Sequence, residues 1–336
     1  MPCLMIVGGF YGDEGKGKIA SYLALKDSAN LMVRGGVGPN AGHSVYWKGK
    51  TYKMRMLPSG FVNPECRLLV GPGVLLDPNI FLKEVSDLGA EHRAGVDPQC
   101  AIIETDHIER DRGSDYLKKK IATTGTGCGP CNVDRVARIA KLARDVPQLK
   151  QYIVDVPLET NTAIDDGKNV ILEGTQGTFL SLFHGTYPYV TSKDVTAGSI
   201  AADVGVGPKK IDDVLIVFKA YVTRVGGGPL AGEITEKEAT EKGWAEVATV
   251  TGRSRRTAPF DFNLAKRAVM LNGATQVAIT KMDTVFPECK NSKSFHDLPK
   301  EATKFIKKIE DVTKIPVTLL GIGPSVEDII DRREEQ

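Results

Sequence analysis

The chain has 336 residues, 41% of them apolar and 26% charged, a balance that supports a buried core and excludes disorder as the dominant state. Forty-four Lys and Arg against 42 Asp and Glu leave a formal charge of +2, too little to draw nucleic acid through bulk charge. No apolar run nears the ~18 residues of a membrane span. The N-terminus carries no secretory pattern. Six scattered cysteines (Cys3, Cys66, Cys100, Cys128, Cys131 and Cys289) suit a reduced, cytoplasmic protein with no membrane partner.

The apolar run Leu4–Val7 predicts a strand buried on both faces. It enters Gly8-Gly9-Phe10-Tyr11-Gly12-Asp13-Glu14-Gly15-Lys16-Gly17-Lys18, and Ile19–Leu25 continues as a helix. This is the layout of a phosphate cradle. Small residues let backbone N–H groups converge, and the helix N-terminus adds partial positive charge. Lys16 and Lys18 supply cations, whereas Gly17 stands where a standard P-loop has a hydroxyl for Mg²⁺. A carboxylate beside phosphates repels them, so Asp13 fits one of two roles. It holds a metal ion, or it takes a proton from the group being phosphorylated.

Further strands are expected at Leu31–Val33, Leu68–Val70, Val170–Leu172, Val214–Tyr221, Val277–Thr280 and Val317–Leu320. Helical periodicity covers Val133–Tyr152, Phe262–Leu271 and Lys300–Val312. The alternation predicts an α/β fold: a mostly parallel, twisted central sheet with helices on both faces, P-loop-NTPase-like, with loop and helix excursions. A single domain over 1–336 is expected. Glycines cluster again at 35–42, 125–129 and 226–228, where backbone would approach a ligand closely. Cys128-Gly129-Pro130-Cys131 has the spacing of a redox dithiol. No tryptophan precedes it and no second Cys pair completes a zinc site, so small residues in a tight loop are the favoured reading.

Thr280-Lys281-Met282-Asp283 follows the strand Val277–Thr280. There an Asp carboxylate can accept from the N1–H and N2 amino groups of guanine while the Lys stem packs over the ring. With the phosphate cradle, this favours GTP as the nucleotide.

Taken in order, these motifs resemble those of the adenylosuccinate synthetase family, the GTP-dependent ligases of IMP and L-aspartate. The resemblance runs through Gly12–Lys18, Asn40-Ala41-Gly42-His43, Glu173-Gly174-Thr175-Gln176-Gly177-Thr178 and His184–Thr191. It continues with Lys219-Ala220-Tyr221, Thr223–Gly226, Thr251-Gly252-Arg253, Arg255-Arg256, Thr280–Asp283 and Gly323-Pro324. The chain is shorter than many members. Thr126 stands in place of a family arginine, and Ser192-Lys193-Asp194 departs from the usual Ser-Ser-Asn.

The resemblance implies residue roles. Asp13 would take the N1 proton of IMP so that O6 attacks the γ-phosphate, with His43 as acid or donor and Gln176 completing the catalytic set. Mg²⁺ would be held by Asp13 and the carbonyl of Gly42. IMP would meet Asp13, Asn40, Thr124, Gln176, Thr191 and Arg253. Arg138 would reach the site of a neighbouring subunit in a homodimer. L-Aspartate would meet Thr251, Arg253 and Arg255, since paired guanidinium groups clamp carboxylates. GTP would meet Gly12, Gly15, Lys16, Gly17, Lys18, Gly42, His43, Ser44, Lys281, Asp283, Gly321, Gly323 and Pro324. The competing reading is a regulatory GTPase, which shares the phosphate loop and Lys-x-Asp but leaves His43, Gln176 and the Arg253/Arg255 loop unexplained.

Overall fold

A computed structural model describes residues 3–247, 252 and 254–335. In chain order, β1 (Cys3–Gly8) leads into α1 (Lys16–Lys26), then β2 (Leu31–Arg34) and the hairpin β3 (His43–Trp47) and β4 (Lys50–Met54). β5 (Arg67–Val70), β6 (Leu75–Leu76), α2 (Pro78–Asp87), β7 (Ala94–Val96) and β8 (Ala101–Ile102) follow. A helical excursion comprises α3 (Thr105–Gly113), α4 (Cys128–Ala137) and α5 (Val156–Asp165). The chain returns through β9 (Val170–Glu173), α6 (Ala197–Val204), β10 (Asp213–Lys219), β11 (Tyr221–Arg224), α7 (Glu236–Glu241) and β12 (Arg256–Pro259). It closes with α8 (Phe262–Asn272), β13 (Gln276–Thr280), α9 (Met282–Val285), α10 (Lys300–Thr313), β14 (Val317–Gly321) and β15 (Ile329–Asp331).

Nine of these strands form one sheet in the order β15-β14-β13-β10-β1-β9-β2-β5-β7, parallel except for β15. Side chains alternate across it. Met5 and Val7 of β1 enter a core with Phe218, Ile279 and Ile306. Leu4 and Ile6 enter a second core with Leu23, Phe81 and Leu319. Both faces are therefore covered, which is why the strands are continuously apolar. Helix starts are fixed locally. Asp77 accepts from the N–H groups of Asn79 and Ile80 to cap α2, and Asp261 caps α8 by accepting from Asn263 and Leu264. Parallel strands share one polarity, so the loops after β1, β2, β9, β13 and β14 gather at one sheet edge, the usual ligand edge of such sheets.

Two sequence expectations are corrected. The apolar run Val214–Tyr221 is not one strand. β10 ends at Lys219, and after Ala220 the chain leaves the central sheet as β11, pairing antiparallel with β12. The periodic stretch Val133–Tyr152 is not one helix. α4 runs from Cys128 to Ala137, and Arg138 ends it in the left-handed region at φ 66°. A separate 3₁₀ turn begins at Pro147, which has no N–H for a continuing helix. The pattern merged two environments: Val133, Val136 and Ile139 are exposed, whereas Ala143, Val146 and Leu149 are buried.

Gly9 shows how tightly the first loop is built. A Cβ there would stand 2.1 Å from the Phe218 ring, itself wedged against Phe10 (centroids 4.7 Å) and Phe260 (5.7 Å). Gly9→Ala is expected to lose about 1–3 kcal/mol through overpacking. Urea denaturation reads this, and an unshifted midpoint would contradict it.

Candidate functional site

The gathered loops enclose a cavity of about 1070 Å³, at the upper end for a small-molecule site. The loop after β1 lines one wall. Gly12, Asp13 and Gly15 have φ of 84°, 61° and 87°, a run of left-handed backbone that turns N–H groups toward one point. The carboxylate of Glu14 fills that point, accepting from the N–H groups of Phe10 (3.0 Å) and Gly12 (2.7 Å). Lys16 Nζ donates to Glu14 at 2.8 Å and to the Gln176 carbonyl. Lys18 is turned to the opposite end of the cavity. Its ammonium donates to the carbonyls of Gly323 (2.6 Å) and Asp328 (2.8 Å), and burial lowers its pKa to about 8. Thr280 Oγ1 donates to the Glu14 carbonyl at 2.6 Å, tying this loop to the end of β13.

Beneath the cavity lies a charge cluster. Glu173, at the end of β9, has no exposure. It accepts from Ser59 Oγ (2.7 Å), from the Ser59 N–H (2.6 Å) and from the His43 ring at Nδ1, with Arg34 Nη1 3.6 Å away. Burial pushes Glu173 up, but the hydrogen bond from His43, the Arg34 charge and the Ser59 N–H outweigh it and hold the carboxyl at about 2. Burial first, and then the Arg34 charge, push His43 down to about 4 against the pull of Glu173. His43 is therefore a neutral imidazole at pH 7. With Nδ1–H given to Glu173, Nε2 carries the lone pair.

Asn40 Nδ2 donates to Thr191 Oγ1 at 3.2 Å, and Gln176 Nε2 donates to Asn40 Oδ1 at 3.1 Å. Three expected IMP contacts are thus one hydrogen-bonded chain. Thr124 shares a hydroxyl contact of 3.1 Å with Thr126, which turns inward to Cys128. At the far end, Asp283 Oδ1 is buried without a hydrogen-bond partner, an acceptor suited to a ligand's N–H groups. Lys281 flanks it at φ 63°. Arg255 Nε lies 3.1 Å from Asp13 Oδ2, and its Nη1 donates to Glu246.

Eighteen of the expected site residues line this cavity, Asp13 and His43 among them. Gly321 does not. It closes β14 with its Cα hydrogen side against Thr280 and Lys18. Arg138 lies apart, exposed, on a small cavity with Arg135, Ala140 and Leu142. Thr251 and Arg253 fall outside the described residues. Lys193, one of the departures in sequence, is turned away from the cavity and holds Asp203 at 2.7 Å. The Cys128 and Cys131 thiols are buried and pushed up to about 11 and about 12, the opposite of a reactive dithiol. Sequence reasoning gave no role to Glu14, Arg34, Glu173 or Glu246. A signal existed for Glu173 alone: a carboxylate closing an otherwise apolar parallel strand. Among the described residues no group of three or more His, Cys, Asp or Glu side chains could hold a metal by itself.

Known proteins resemble the chain along its length. A family model described as adenylosuccinate synthetase matches residues 5–148 and 139–290. An adenylosuccinate synthetase of Archaeoglobus fulgidus is 54% identical over 336 residues, with 100% of each chain covered. One from Methanocaldococcus jannaschii is 53% identical, covering 100% of this chain and 98% of that one. The structure of fully ligated adenylosuccinate synthetase from Plasmodium falciparum superposes with a TM-score of 0.91 at 25% identity, covering 98% of this chain and 99% of that one.

The low His43 value makes stability pH-dependent. Between an unfolded pKa of about 6.5 and the folded value of about 4, the unfolded chain binds a proton that the native chain does not. Stability is then expected to fall as pH drops through this window. Denaturation at stepped pH should show a shallower fall in His43→Gln, and identical slopes would contradict the assignment.

Proposed function

The chain belongs to the adenylosuccinate synthetase family, the ligases that join IMP and L-aspartate with GTP in AMP biosynthesis, and we propose that its cavity does so through an IMP phosphorylated on O6. The observation that carries the reading is Asp13 and His43 on the wall of one cavity, between the Asn40–Gln176–Thr191 chain and the orphaned Asp283 oxygen. The C6 oxygen of hypoxanthine does not leave when an amine attacks. As a phosphate ester it does.

The Asp13 carboxylate takes the N1 proton. The electron pair moves onto O6, which attacks the γ-phosphorus of GTP and releases GDP. The amine of L-aspartate then adds to C6, phosphate departs with O6, and the amine gives up a proton. Negative charge grows near His43 during the first step. As that charge grows, Nε2 would take up a proton from solvent, balanced by the Glu173 carboxylate at Nδ1, and the ring would then donate to it. Asn40, Thr124, Gln176 and Thr191 hold IMP, with the Gln176 amide bonded to Asn40. Thr251, Arg253 and Arg255 receive L-aspartate.

Asp283 reads guanine with the Lys281 stem beside it. Lys18 holds the turn Gly323-Pro324 in place, while Gly12, Gly15, Lys16, Gly17, Gly42 and Ser44 surround the phosphates. Enzymes of this family generally need a divalent metal. Asp13 and the backbone of Gly42, both on the cavity wall, offer the hard oxygen donors that suit Mg²⁺, and would hold it. When bound, it supplies positive charge to phosphate oxygens.

A homodimer is supported by the apolar patch around Arg138, where Val133, Val136 and Ile139 are 64%, 72% and 73% exposed. In it Arg138 would serve the neighbouring subunit's IMP. Six free, buried cysteines support a reducing, cytoplasmic setting.

The assay is direct. GTP turnover should require IMP and L-aspartate together and raise near-ultraviolet absorbance; GTP hydrolysis indifferent to both would point to a regulatory GTPase. Asp13→Ala should lose at least the ~10²–10⁴-fold of a positioned base, and near wild-type kcat would refute that role. Asp283→Asn should weaken GTP and improve XTP, whose extra carbonyl accepts from the new amide. An unchanged preference would exclude Asp283 as the reader.

A further inference from the structure

Residues 187–192 line the cavity, and Lys193, the next in the chain, does not. Its ammonium finds three oxygens behind the wall. It donates to Asp203 Oδ1 at 2.7 Å, to the Gly36 carbonyl at 3.2 Å and to the Gly73 carbonyl. An ammonium has three N–H groups, so the set is complete. Asp203, on α6, uses its other oxygen to accept from the Gly36 N–H at 3.0 Å. The ion pair therefore grips both polar groups of one residue, Lys193 taking the Gly36 carbonyl and Asp203 its N–H. Gly36 has a φ of 95°, and a Cβ there would stand 2.1 Å from Thr175 Oγ1, so the fit admits no side chain.

Gly36 lies in the loop that follows β2 and carries Asn40. Lys193 belongs to the segment that carries Thr191. Those two side chains meet at the cavity, where Asn40 Nδ2 donates to Thr191 Oγ1 at 3.2 Å. The two segments are thus joined twice, at the cavity by a neutral bond and behind it by an ion pair. Backbone bonds carry one link to the other. The Thr191 N–H donates to the Leu180 carbonyl at 2.8 Å, and the Leu182 N–H donates to the Lys193 carbonyl at 3.1 Å. The Val37 N–H donates to Thr175 Oγ1 at 3.0 Å, beside Gln176, the third member of the chain. Burial pushes the Asp203 carboxyl up against the pull of Lys193 and the Gly36 N–H, so removing the ammonium strips a buried carboxylate of its cation. Residues 12–18 and Asp283 follow other strands, β1 and β13.

We propose that Lys193 is a positioning residue of the IMP site: paired with Asp203, it fixes the loop of Asn40 against the segment of Thr191 so that both side chains meet the nucleotide in one register. This rests on the reading of Asn40 and Thr191 as IMP contacts.

Initial rates of the full-length enzyme, with each substrate varied in turn, test it. Lys193→Met keeps the apolar stem and removes the ammonium. The KM for IMP should rise about tenfold or more, as for lost hydrogen bonds to a charged group, while the KM values for GTP and L-aspartate stay within about threefold. Lys193→Arg should recover part of the loss. Asp203→Asn is nearly the same size and weakens the same grip on Gly36. It carries the test if Lys193→Met folds poorly, with an expected rise of about threefold or more confined to IMP. An IMP KM within about twofold of wild type in the folded variants would make the pair merely structural and overturn the proposal, as would three KM values rising together. Asn40→Ala separates the underlying reading. If it leaves the IMP KM unchanged, Asn40 is not an IMP contact and the proposal falls with that reading; if it raises that KM and the Lys193 variants do not, only the role of Lys193 falls.

Discussion

A carboxylate with no access to water, placed at the carboxyl end of a central strand, is the constraint from which the site is built. Glu173 needs cations and donors, and it draws them from three separate segments. Arg34 is its partner in the parallel register of β2 and β9, so the strand pairing itself delivers the guanidinium. His43 comes from the start of the β3–β4 hairpin and Ser59 from the turn beyond it. Leaving one partner unmatched in such a cluster costs about 3–5 kcal/mol, so the geometry is held firmly. That firmness fixes the tautomer of His43 and seats the hairpin whose outer face, Ser44 and Tyr46, lines the cavity.

Above this cluster the functional groups stand on strained backbone. Asp13, Gln176 and Lys281 have φ of 61°, 53° and 63°, a region that side chains enter at a cost of about 1–2 kcal/mol each. Each sits in the first residues after a parallel strand or just beyond, where the chain must turn sharply across the sheet edge. All three residues line the cavity. Packing offsets the strain: Gly8 and Gly9 let the loop press against Gln176 and Phe218, and Thr280 ties it to β13.

The central strands were legible because burial on both faces leaves a continuous apolar run, and the phosphate and base motifs because each follows such a run. The resemblance added the roles of Asn40, Thr191 and the 251–255 loop, which no local pattern conveys. Helix length in 133–152 was misread because periodicity cannot tell an exposed apolar face from a buried one. Val136 and Ile139 look like core in sequence and are surface in the fold. Glu14, Arg34 and Glu246 were silent because their meaning lies in partners far along the chain or folded back upon it. Glu246 lies 27 residues from Lys219, and Glu173 lies 130 from His43.

The central claim is that O6 of the purine is phosphorylated before nitrogen replaces it, and the fate of that oxygen tests it most directly. With IMP carrying ¹⁸O at C6, the enzyme turning over GTP and L-aspartate is expected to deliver the label into inorganic phosphate, one labelled oxygen per product formed. Label released into water instead, with unlabelled phosphate, would contradict the account.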